Sequence, residues 1–407
     1  MSKDTSLTAV SLFSGAGGLD LGFKDAGFKI LWANDNHIDS VETYKKNVGK
    51  HIVLGDIRKI PSSDIPKNAD VLLGGFPCQG FSIANSKKRG MHDKRNFLYL
   101  EMLRIIKDTQ PKFFVAENVK GLLNLDGGRV VTMIMNDFRN IGYDVANPFL
   151  VNSADYGVPQ FRERIFIIGN RVKRKNRFPK KSKNGKTTKE VIGHLPEPDT
   201  DEGKKIPNHI GFTNADSTFM RRKHPINQFD ICDYLKYWKS KTEWSTEKID
   251  RYFGYSYTAG HWFRKDNDSG SIPKPDDWLA LKELLGFDDK YDEAVLTFEE
   301  AQITFDQSLR ITNWDRPSDT ITATGPEIHV NKKRRLTVRE CAMLQTFPDW
   351  FIFTGSISSQ YRQVGNAVPP LLAKQIAETI KEELLFGKDV TPLPIPPKQV
   401  EITSFVR

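Results

Sequence analysis

The sequence predicts an α/β protein with a doubly wound, mostly parallel β-sheet and a second, smaller domain. Over the first 170 residues, short apolar runs alternate with amphipathic helical stretches. Strands separated by helices favour a parallel sheet that is covered on both faces. Near residue 170 this alternation stops, and Lys, Asp, Pro and aromatic residues become frequent. The length of 407 residues also exceeds the usual size of one domain.

The elements of the first domain follow from hydrophobic periodicity. Apolar runs predict strands at 8–13, 30–33, 51–54, 71–73, 113–116, 143–151 and 164–168. The stretches between them predict helices at 19–26, 38–46, 96–109 and 129–140. Helical periodicity returns at 336–347 and at 371–385.

These elements predict how the chain is divided into domains. We expect a catalytic and cofactor-binding domain over residues 1–170, completed by residues 360–388. Residues 171–330 form the expected recognition domain, in which eight aromatic residues crowd between 238 and 263. Residues 331–359 connect the two domains, and 389–407 form a Pro-rich tail.

The net charge of +9 is concentrated in two places. Residues 171–189 contain ten Lys or Arg and no acid, and Lys332, Lys333, Arg334 and Arg335 form a second cluster. Such blocks favour a polyanion, most often nucleic acid, through phosphate contacts and counterion release. For each cluster the alternative is a solvated linker that binds nothing.

Composition excludes several classes of protein. The three cysteines, Cys78, Cys232 and Cys341, lack metal-ligand spacing and do not indicate a disulfide framework. No apolar run approaches the roughly 18 residues that span a bilayer. Residues 1–5 do not resemble a signal peptide. A reduced cytoplasm is the expected compartment.

Cys78 follows Pro77 at the end of the apolar run 71–76. In α/β proteins the carboxyl ends of the strands collect ligands and chemistry. A thiol at such a position is a candidate nucleophile. Free cysteines are, however, often small buried core residues. The residues around Cys78 leave both interpretations open.

A glycine-rich turn and two acids predict an adenosine site. The turn at 13–18 lets a ligand approach the backbone and the start of a helix closely. Asp35, at the end of the second strand, is suited to ribose hydroxyls. Asp56, after the third strand, offers an acceptor to an adenine amino group. The chain has no GxxxxGK[ST] phosphate loop, which disfavours ATP.

Glu117 follows the predicted strand 113–116, at the sheet edge where Cys78 is expected. A carboxyl in a partly apolar pocket keeps its proton near neutral pH and can act as a general acid. A capping or salt-bridged glutamate is the alternative. Arg162 and Arg164, two residues apart, can hold a carbonyl oxygen or a phosphate, or can pair with surface acids.

Six motifs in order resemble those of the DNA (cytosine-5)-methyltransferases, of bacterial or phage restriction-modification type. They are FSGAGG at 13–18, PCQGFS at 77–82, ENV at 117–119, QFRER at 160–164, RRLTVREC at 334–341 with LQTFP at 344–348, and GNAV at 365–368. The resemblance covers about residues 1–170 and 316–380. It implies a Rossmann-like fold that uses S-adenosyl-L-methionine. Residues 171–315 fall where that family keeps its variable target-recognition region.

The resemblance also implies a mechanism. The Cys78 thiolate attacks C6 of cytosine while Glu117 donates a proton or a hydrogen bond at N3. Arg164 holds O2, and Arg162 supports the site. The activated C5 takes the methyl group, and loss of the C5 proton then expels Cys78. Because C6 is not accessible inside a duplex, the cytosine is flipped out.

The binding residues are carried over in the same way. The implied cofactor-binding residues are Phe13, Gly15, Gly17, Leu19, Asp35, Asp56, Ile57, Asn366 and Val368. The implied DNA contacts, in the loop at 80–95, are Ser82, Lys87, Lys88, Arg89 and Arg95. One departure is Asp35, where many family members carry Glu. Cys341 is expected in the core, and Cys232 is expected to be structural.

The implied partners are duplex DNA and a functionally paired restriction endonuclease, for a monomeric protein of the bacterial cytoplasm or nucleoid. A tRNA cytosine-5 methyltransferase is one alternative, but that branch carries a Cys-Phe-Thr signature that this chain lacks. A catalytically silent DNA-binding relative is another, and retention of the four catalytic residues argues against it. Pro77 and Cys78 stand where an adenine methyltransferase would have Asp/Asn-Pro-Pro-Tyr/Phe.

Overall fold

The computed structural model describes residues 6–77, 98–182, 185–211, 228–254, 262–263, 273, 275–296, 311–323, 327–331 and 334–390. The predicted nucleophile Cys78 lies outside the described residues, as do Lys332 and Lys333. The same is true of all the predicted DNA contacts, Ser82, Lys87, Lys88, Arg89 and Arg95.

The described part of the chain contains one sheet of eight strands in the order β3-β2-β1-β4-β5-β8-β6, with β7 also paired to β8. Neighbouring strands among β1 to β5 pair in parallel, and β8 pairs antiparallel with β5, β6 and β7. The predicted doubly wound, mostly parallel sheet is confirmed. The strands are β1 (Thr8–Leu12), β2 (Lys29–Asp35), β3 (Ile52–Leu54), β4 (Val71–Gly74), β5 (Phe113–Val119), β6 (Asp144–Val145), β7 (Phe149–Asn152) and β8 (Glu163–Asn170).

Helices cover both faces of this sheet, and others lie beyond it. Those of the first 170 residues are α1 (Gly18–Asp25), α2 (Ile38–Asn47), α3 (Leu98–Thr109) and α4 (Arg129–Asn140). Those that follow are α5 (Thr188–Ile192), α6 (Gln228–Lys239), α7 (Thr246–Phe253), α8 (Pro275–Leu285), α9 (Asp292–Leu296), α10 (Val338–Leu344), α11 (Ile357–Asn366) and α12 (Pro370–Phe386). No helix in the described ranges has the length and apolar character that crossing a membrane requires.

Several predicted elements differ from the structure, most of them only at their ends. The single strand expected at 143–151 is wrong, because the chain forms two short strands there. Pro148 lies between them and has no amide hydrogen to donate to a ladder. The predicted helix 336–347 is shorter, since a capping box of Thr337 and Glu340 starts α10 at Val338. β5 is longer than predicted, so Glu117 lies within the strand, opposite Phe166.

Apolar residues form four clusters. Two lie on the opposite faces of the sheet, and α12 closes one of them by packing on α1. A third joins α1 and α2 to residues 336–364, so the later part of the chain packs on the first domain. The fourth is a separate aromatic core of helices α6 to α9, around the fully buried Trp278. Among the described residues, the sheet edge at the carboxyl ends of β1, β2, β4 and β5 borders a cavity.

Candidate active site

A cavity of about 430 Å³ lies at that edge of the sheet. This volume is within the range of about 300 to 1,000 Å³ that small-molecule and cofactor sites occupy. The cavity brings together many residues that the sequence predicts for a site. Those that line it are Phe13, Gly15, Leu19, Asp35, Asp56, Ile57, Pro77, Glu117, Arg164, Asn366 and Val368. Gly17 and Arg162 are not among the described lining residues.

The glycine turn forms one wall of the cavity. Phe13, Gly15 and Gly17 all have left-handed backbone, with φ of 55°, 55° and 92°. A Cβ on Gly15 would meet nothing within 4 Å, so its φ, and not the space around it, favours glycine. A Cβ on Gly17 would lie 2.8 Å from the ring of Tyr44. Gly17 therefore allows α2 to pack under the turn.

Asp35 is held by two backbone amides. Its Oδ2 accepts from Gly15 N–H at 2.8 Å, and its Oδ1 accepts from His37 N–H at 2.8 Å. Burial raises the pKa of Asp35 above its ordinary value, and the two amide bonds act against that shift. Since each carboxylate oxygen has a second lone pair, Asp35 can still accept hydrogen bonds from a ligand hydroxyl.

Asp56 lies at the rim and forms an ion pair with Arg58. Both of its oxygens accept from Arg58 Nε, at 2.9 and 3.0 Å, and Oδ1 also accepts the Arg58 backbone N–H. The side-chain hydrogen bonds from Arg58 lower the pKa of Asp56. Asp56 is therefore an ionised acceptor beside the cavity, already shared with a cation.

Glu117 and Arg164 form a largely buried pair at the other end of the cavity. Arg164 Nε lies 3.1 Å from Glu117 Oε1. Gly75 faces the second oxygen, because a Cβ there would lie 3.1 Å from Oε2. Burial raises the pKa of Glu117, while the charges of Arg164 and then Arg162 oppose the shift. The pair thus offers a carboxyl that is shifted toward its protonated form beside a fixed cation.

Arg162 is fully buried and bridges distant backbone segments. Its Nη1 donates to the Ile321 carbonyl at 3.1 Å, and its Nη2 donates to the Gly365 carbonyl at 2.7 Å. Its Nε has no hydrogen-bond partner among the described residues. Burial lowers the pKa of Arg162. Arg162 therefore holds the chain just before Asn366, a lining residue, and does not itself line the cavity.

The lining residues that sequence reasoning missed include Asp20, His37, Arg362 and Gln363. His37 Nε2 contacts Arg362 Nη2 across 325 residues of sequence, and no local pattern predicts that contact. The sequence does contain a signal for Asp20, because this acid lies between Leu19 and Leu21 at the start of a predicted helix. Because acids are rarely buried without a partner, an acid in an apolar segment is a candidate for a specific role.

In each basic cluster, some of the cations form ion pairs with acids of the same chain. β8 ends with Asn170 opposite Phe113, so the stretch 171–189 starts at the sheet edge remote from the cavity. Arg174 pairs with Asp389, Arg177 with Glu382 and Glu383, and Lys181 with Asp155. In the second cluster Arg334 pairs with Glu197 and Glu340, and Arg335 is buried. Exposed cations of the first stretch remain, at Lys173, Lys175 and Lys180.

Cys232 and Cys341 are both buried. Burial raises the pKa of the Cys341 thiol well above its ordinary value, as befits a core residue. Within the ranges that the structure describes, no cluster of His, Cys, Asp and Glu could hold a metal ion.

Comparison with known proteins finds one family. The family model described as C-5 cytosine-specific DNA methylase matches residues 7–382. The Type II methyltransferase M.NgoFVII of Neisseria gonorrhoeae is 36% identical over 380 residues, which cover 91% of this chain and 85% of that protein. The Type II methyltransferase M1.HphI of Haemophilus parahaemolyticus is 34% identical over 384 residues, 92% of this chain and 87% of that protein.

Two solved structures share the fold. A protein described as a DNA modification methyltransferase encoded within a prophage (E. coli) superposes with a TM-score of 0.60 at 24% identity, over 93% of this chain and 99% of that one. The S. pombe Dnmt2 methyltransferase superposes with a TM-score of 0.51 at 18% identity, over 93% of this chain and all of that one.

Proposed function

The chain belongs to the C-5 cytosine-specific DNA methylase family, and from this premise we propose roles for its individual residues. The enzyme transfers a methyl group from S-adenosyl-L-methionine to C5 of cytosine in DNA. The observation that carries the proposal is one cavity with two unlike ends. Acids and the glycine turn line one end, and the Glu117–Arg164 pair lines the other, with Pro77 on the same cavity wall.

We place the methyl donor at the end formed by the glycine turn, Asp35, Asp56, Asn366 and Val368. The volume, the carboxylate acceptors and the left-handed turn fit a nucleoside with a charged tail. Asp35 would accept from the ribose hydroxyls, and Asp56 and Ile57 would face the adenine. When bound, the cofactor supplies an electrophilic methyl group.

We place the cytosine at the Glu117–Arg164 end. The Cys78 thiolate would add to C6, forming a C–S bond and pushing the electron pair toward C5. Glu117 would give a proton or hydrogen bond at N3, and Arg164 would hold O2, so both neutralise the charge that develops on the ring. After methyl transfer, loss of the C5 proton would return the electron pair and expel the thiolate.

Arg162 acts in this proposal through other residues. Its two hydrogen bonds fix the backbone at Ile321 and Gly365, and its charge acts on Glu117. It would therefore position the cofactor wall and tune the pKa of Glu117, without contacting the base.

DNA binding involves two further segments in this proposal, a loop after β4 and the recognition domain. We propose that the loop at 80–95 contacts the duplex and that the recognition domain at 171–330 reads the bases. The aromatic core of helices α6 to α9 supports a separately folded recognition unit there. The Type II names of the relatives support pairing with a restriction endonuclease, and we propose that the enzyme works as a monomer.

A mechanism-based trap tests the proposed chemistry. Bisulfite sequencing of DNA from expressing cells first identifies the target. A duplex carrying 5-fluorocytosine at that position should then form a cofactor-dependent covalent adduct, because fluorine cannot leave as a proton does. Peptide mapping should find the adduct on Cys78, and Cys78→Ser should form none. An adduct on a residue other than Cys78 would contradict the proposed roles. Faster methylation of tRNA than of duplex DNA would favour tRNA as the substrate.

A further inference from the structure

The cavity contains a buried carboxylate that the proposed chemistry does not use. Asp20, in the first turn of α1, lines the cavity and has no exposed surface. Its Oδ2 accepts from Ser11 Oγ at 2.9 Å, and its Oδ1 accepts from the Tyr44 hydroxyl at 2.8 Å. Among the described residues, no Lys or Arg forms an ion pair with it. A buried charge without a counter-ion is costly, so Asp20 needs an explanation.

The hydrogen bonds at Asp20 belong to a longer chain. Tyr44 OH also lies 3.0 Å from His51 Nε2, and Ser14 Oγ donates to Ser11 Oγ at 2.9 Å. A tyrosine hydroxyl has one proton to give. If Tyr44 donates to Asp20, then His51 Nε2 must donate to Tyr44. Two series of hydrogen bonds therefore end at an ionised Asp20. One runs from Ser14 in the cavity wall through Ser11, and the other runs from the half-exposed His51 through Tyr44. In both series each donor points toward Asp20.

Within the part of the protein that the structure describes, few charged groups act on these hydrogen-bonded residues. Asp35 acts on Asp20 from β2, and Lys24 acts on His51 from α1. Burial raises the pKa of Asp20 to about 6, with a small further increase from the charge of Asp35, while the bonds from Tyr44 and Ser11 oppose the shift. Burial lowers the pKa of His51, and the charge of Lys24 lowers it further. His51 is therefore a neutral imidazole near pH 7.

We propose that Asp20 is a buried counter-charge for the cationic methyl donor, and that Tyr44 and His51 carry its proton to solvent. The inference rests on the proposed cofactor site. The methyl donor has a sulfonium cation, which the demethylated product lacks. An anion fixed at a buried position in the cavity wall attracts the first and not the second, because the interaction is weakly screened there. Asp20 would thus make the site prefer donor over product.

The proton path is balanced within these three residues. When Asp20 is protonated, it donates to Tyr44, which donates to His51 Nε2, and the His51 proton is on Nδ1. Ionisation moves the Asp20 proton to the tyrosine oxygen and the tyrosine proton to Nε2, and Nδ1 releases its proton to solvent. The chain is then reversed, with all donors pointing at Asp20.

Isothermal titration calorimetry tests this without turnover. Each ligand is titrated at pH 6 in two buffers of different ionisation enthalpy, which gives the protons released on binding. We expect wild-type protein to release protons on binding S-adenosyl-L-methionine and to release fewer on binding S-adenosylhomocysteine. The ratio of the two Kd values should move by about tenfold in favour of the donor between pH 5 and pH 7.5.

Variants make the result specific to Asp20. Asp20→Asn should abolish the difference in proton release and flatten the ratio to within about twofold. Asp25→Asn, an exposed site on the same helix, should behave as wild type. Tyr44→Phe removes one bond that favours the ionised carboxylate, so it should move the midpoint of the pH dependence upward. It provides the test if Asp20→Asn fails to fold.

Two results would overturn the inference: equal proton release for both ligands in the wild type, or unchanged proton release in Asp20→Asn. Failure of the wild type to bind either ligand is a different outcome. It would refute the proposed cofactor site, and the inference would fall with it.

Discussion

Two acids at one end of the cavity are held differently from the acid at the other end. At the β1–β2 end, Asp20 and Asp35 are held by hydroxyls and backbone amides. At the β5–β8 end, Glu117 is held by Arg164. An anion held only by neutral donors keeps its attraction for an incoming cation, whereas an anion beside a fixed arginine is already compensated. The first arrangement suits a cationic cofactor, and the second suits a neutral base whose protonation must be controlled.

The largest expected effect separates the chemistry from cofactor binding. Glu117→Gln keeps the shape and can still donate a hydrogen bond, but it cannot transfer a proton. We expect kcat to fall by about 10²- to 10⁴-fold, the usual contribution of general acid catalysis. Initial rates of methyl transfer measure this change. Glu378→Gln, a half-exposed site on α12, should leave kcat unchanged.

The wild-type pH profile belongs to the same prediction. Burial raises the pKa of Glu117, and the protonated carboxyl is the active form in the proposed mechanism. The contribution of Glu117 is therefore present at low pH and declines as pH rises through its raised pKa. The rate of Glu117→Gln should not show this decline with rising pH. If the variant still shows the decline, another group causes it.

The next largest effect tests whether Arg162 holds together the backbone segments at Ile321 and Gly365. Arg162→Met leaves the Ile321 and Gly365 carbonyls without their donor and removes a charge that opposes the pKa shift of Glu117. We expect the free energy of unfolding to fall by about 3 to 5 kcal/mol. Urea denaturation measures it. Arg129→Met, an exposed cation, should change stability by no more than about 0.5 kcal/mol, and an equally small effect at Arg162 would contradict the bridge.

The smallest expected effect lies at Asp20. Because its pKa of about 6 exceeds the unfolded value of 3.8, the folded state binds more protons between these values. The stability that this provides is present below pH 3.8 and is lost as pH rises through 6, and the loss is at most about 3 kcal/mol. The difference in unfolding free energy between wild type and Asp20→Asn should follow this window. A difference that is constant from pH 4 to 7 would mean that Asp20 does not titrate there.

Sequence alone predicted the features that depend on neighbouring residues. The glycine turn, Asp35 and the strands that carry them follow from local patterns, so their place at one sheet edge could be foreseen. The bridge of Arg162 could not, because its partners lie 159 and 203 residues away. The internal ion pairs of the basic stretch at 171–189 could not be foreseen for the same reason, since the acids that pair with Arg174 and Arg177 come more than 200 residues later. Gly17 matched a cofactor motif, but its neighbour Tyr44 shows that helix packing needs it.

The division of the cavity into a cofactor end and a base end is tested most directly by methyl-donor affinity in two variants. Asp35→Ala and Glu117→Gln are titrated with S-adenosyl-L-methionine by calorimetry at pH 7.5. Asp35→Ala loses a hydrogen-bonding carboxylate at the cofactor end, so its Kd should rise by about tenfold or more. Glu117→Gln should remain within about twofold of wild type. Equal losses in both variants, or a greater loss in Glu117→Gln, would contradict the division.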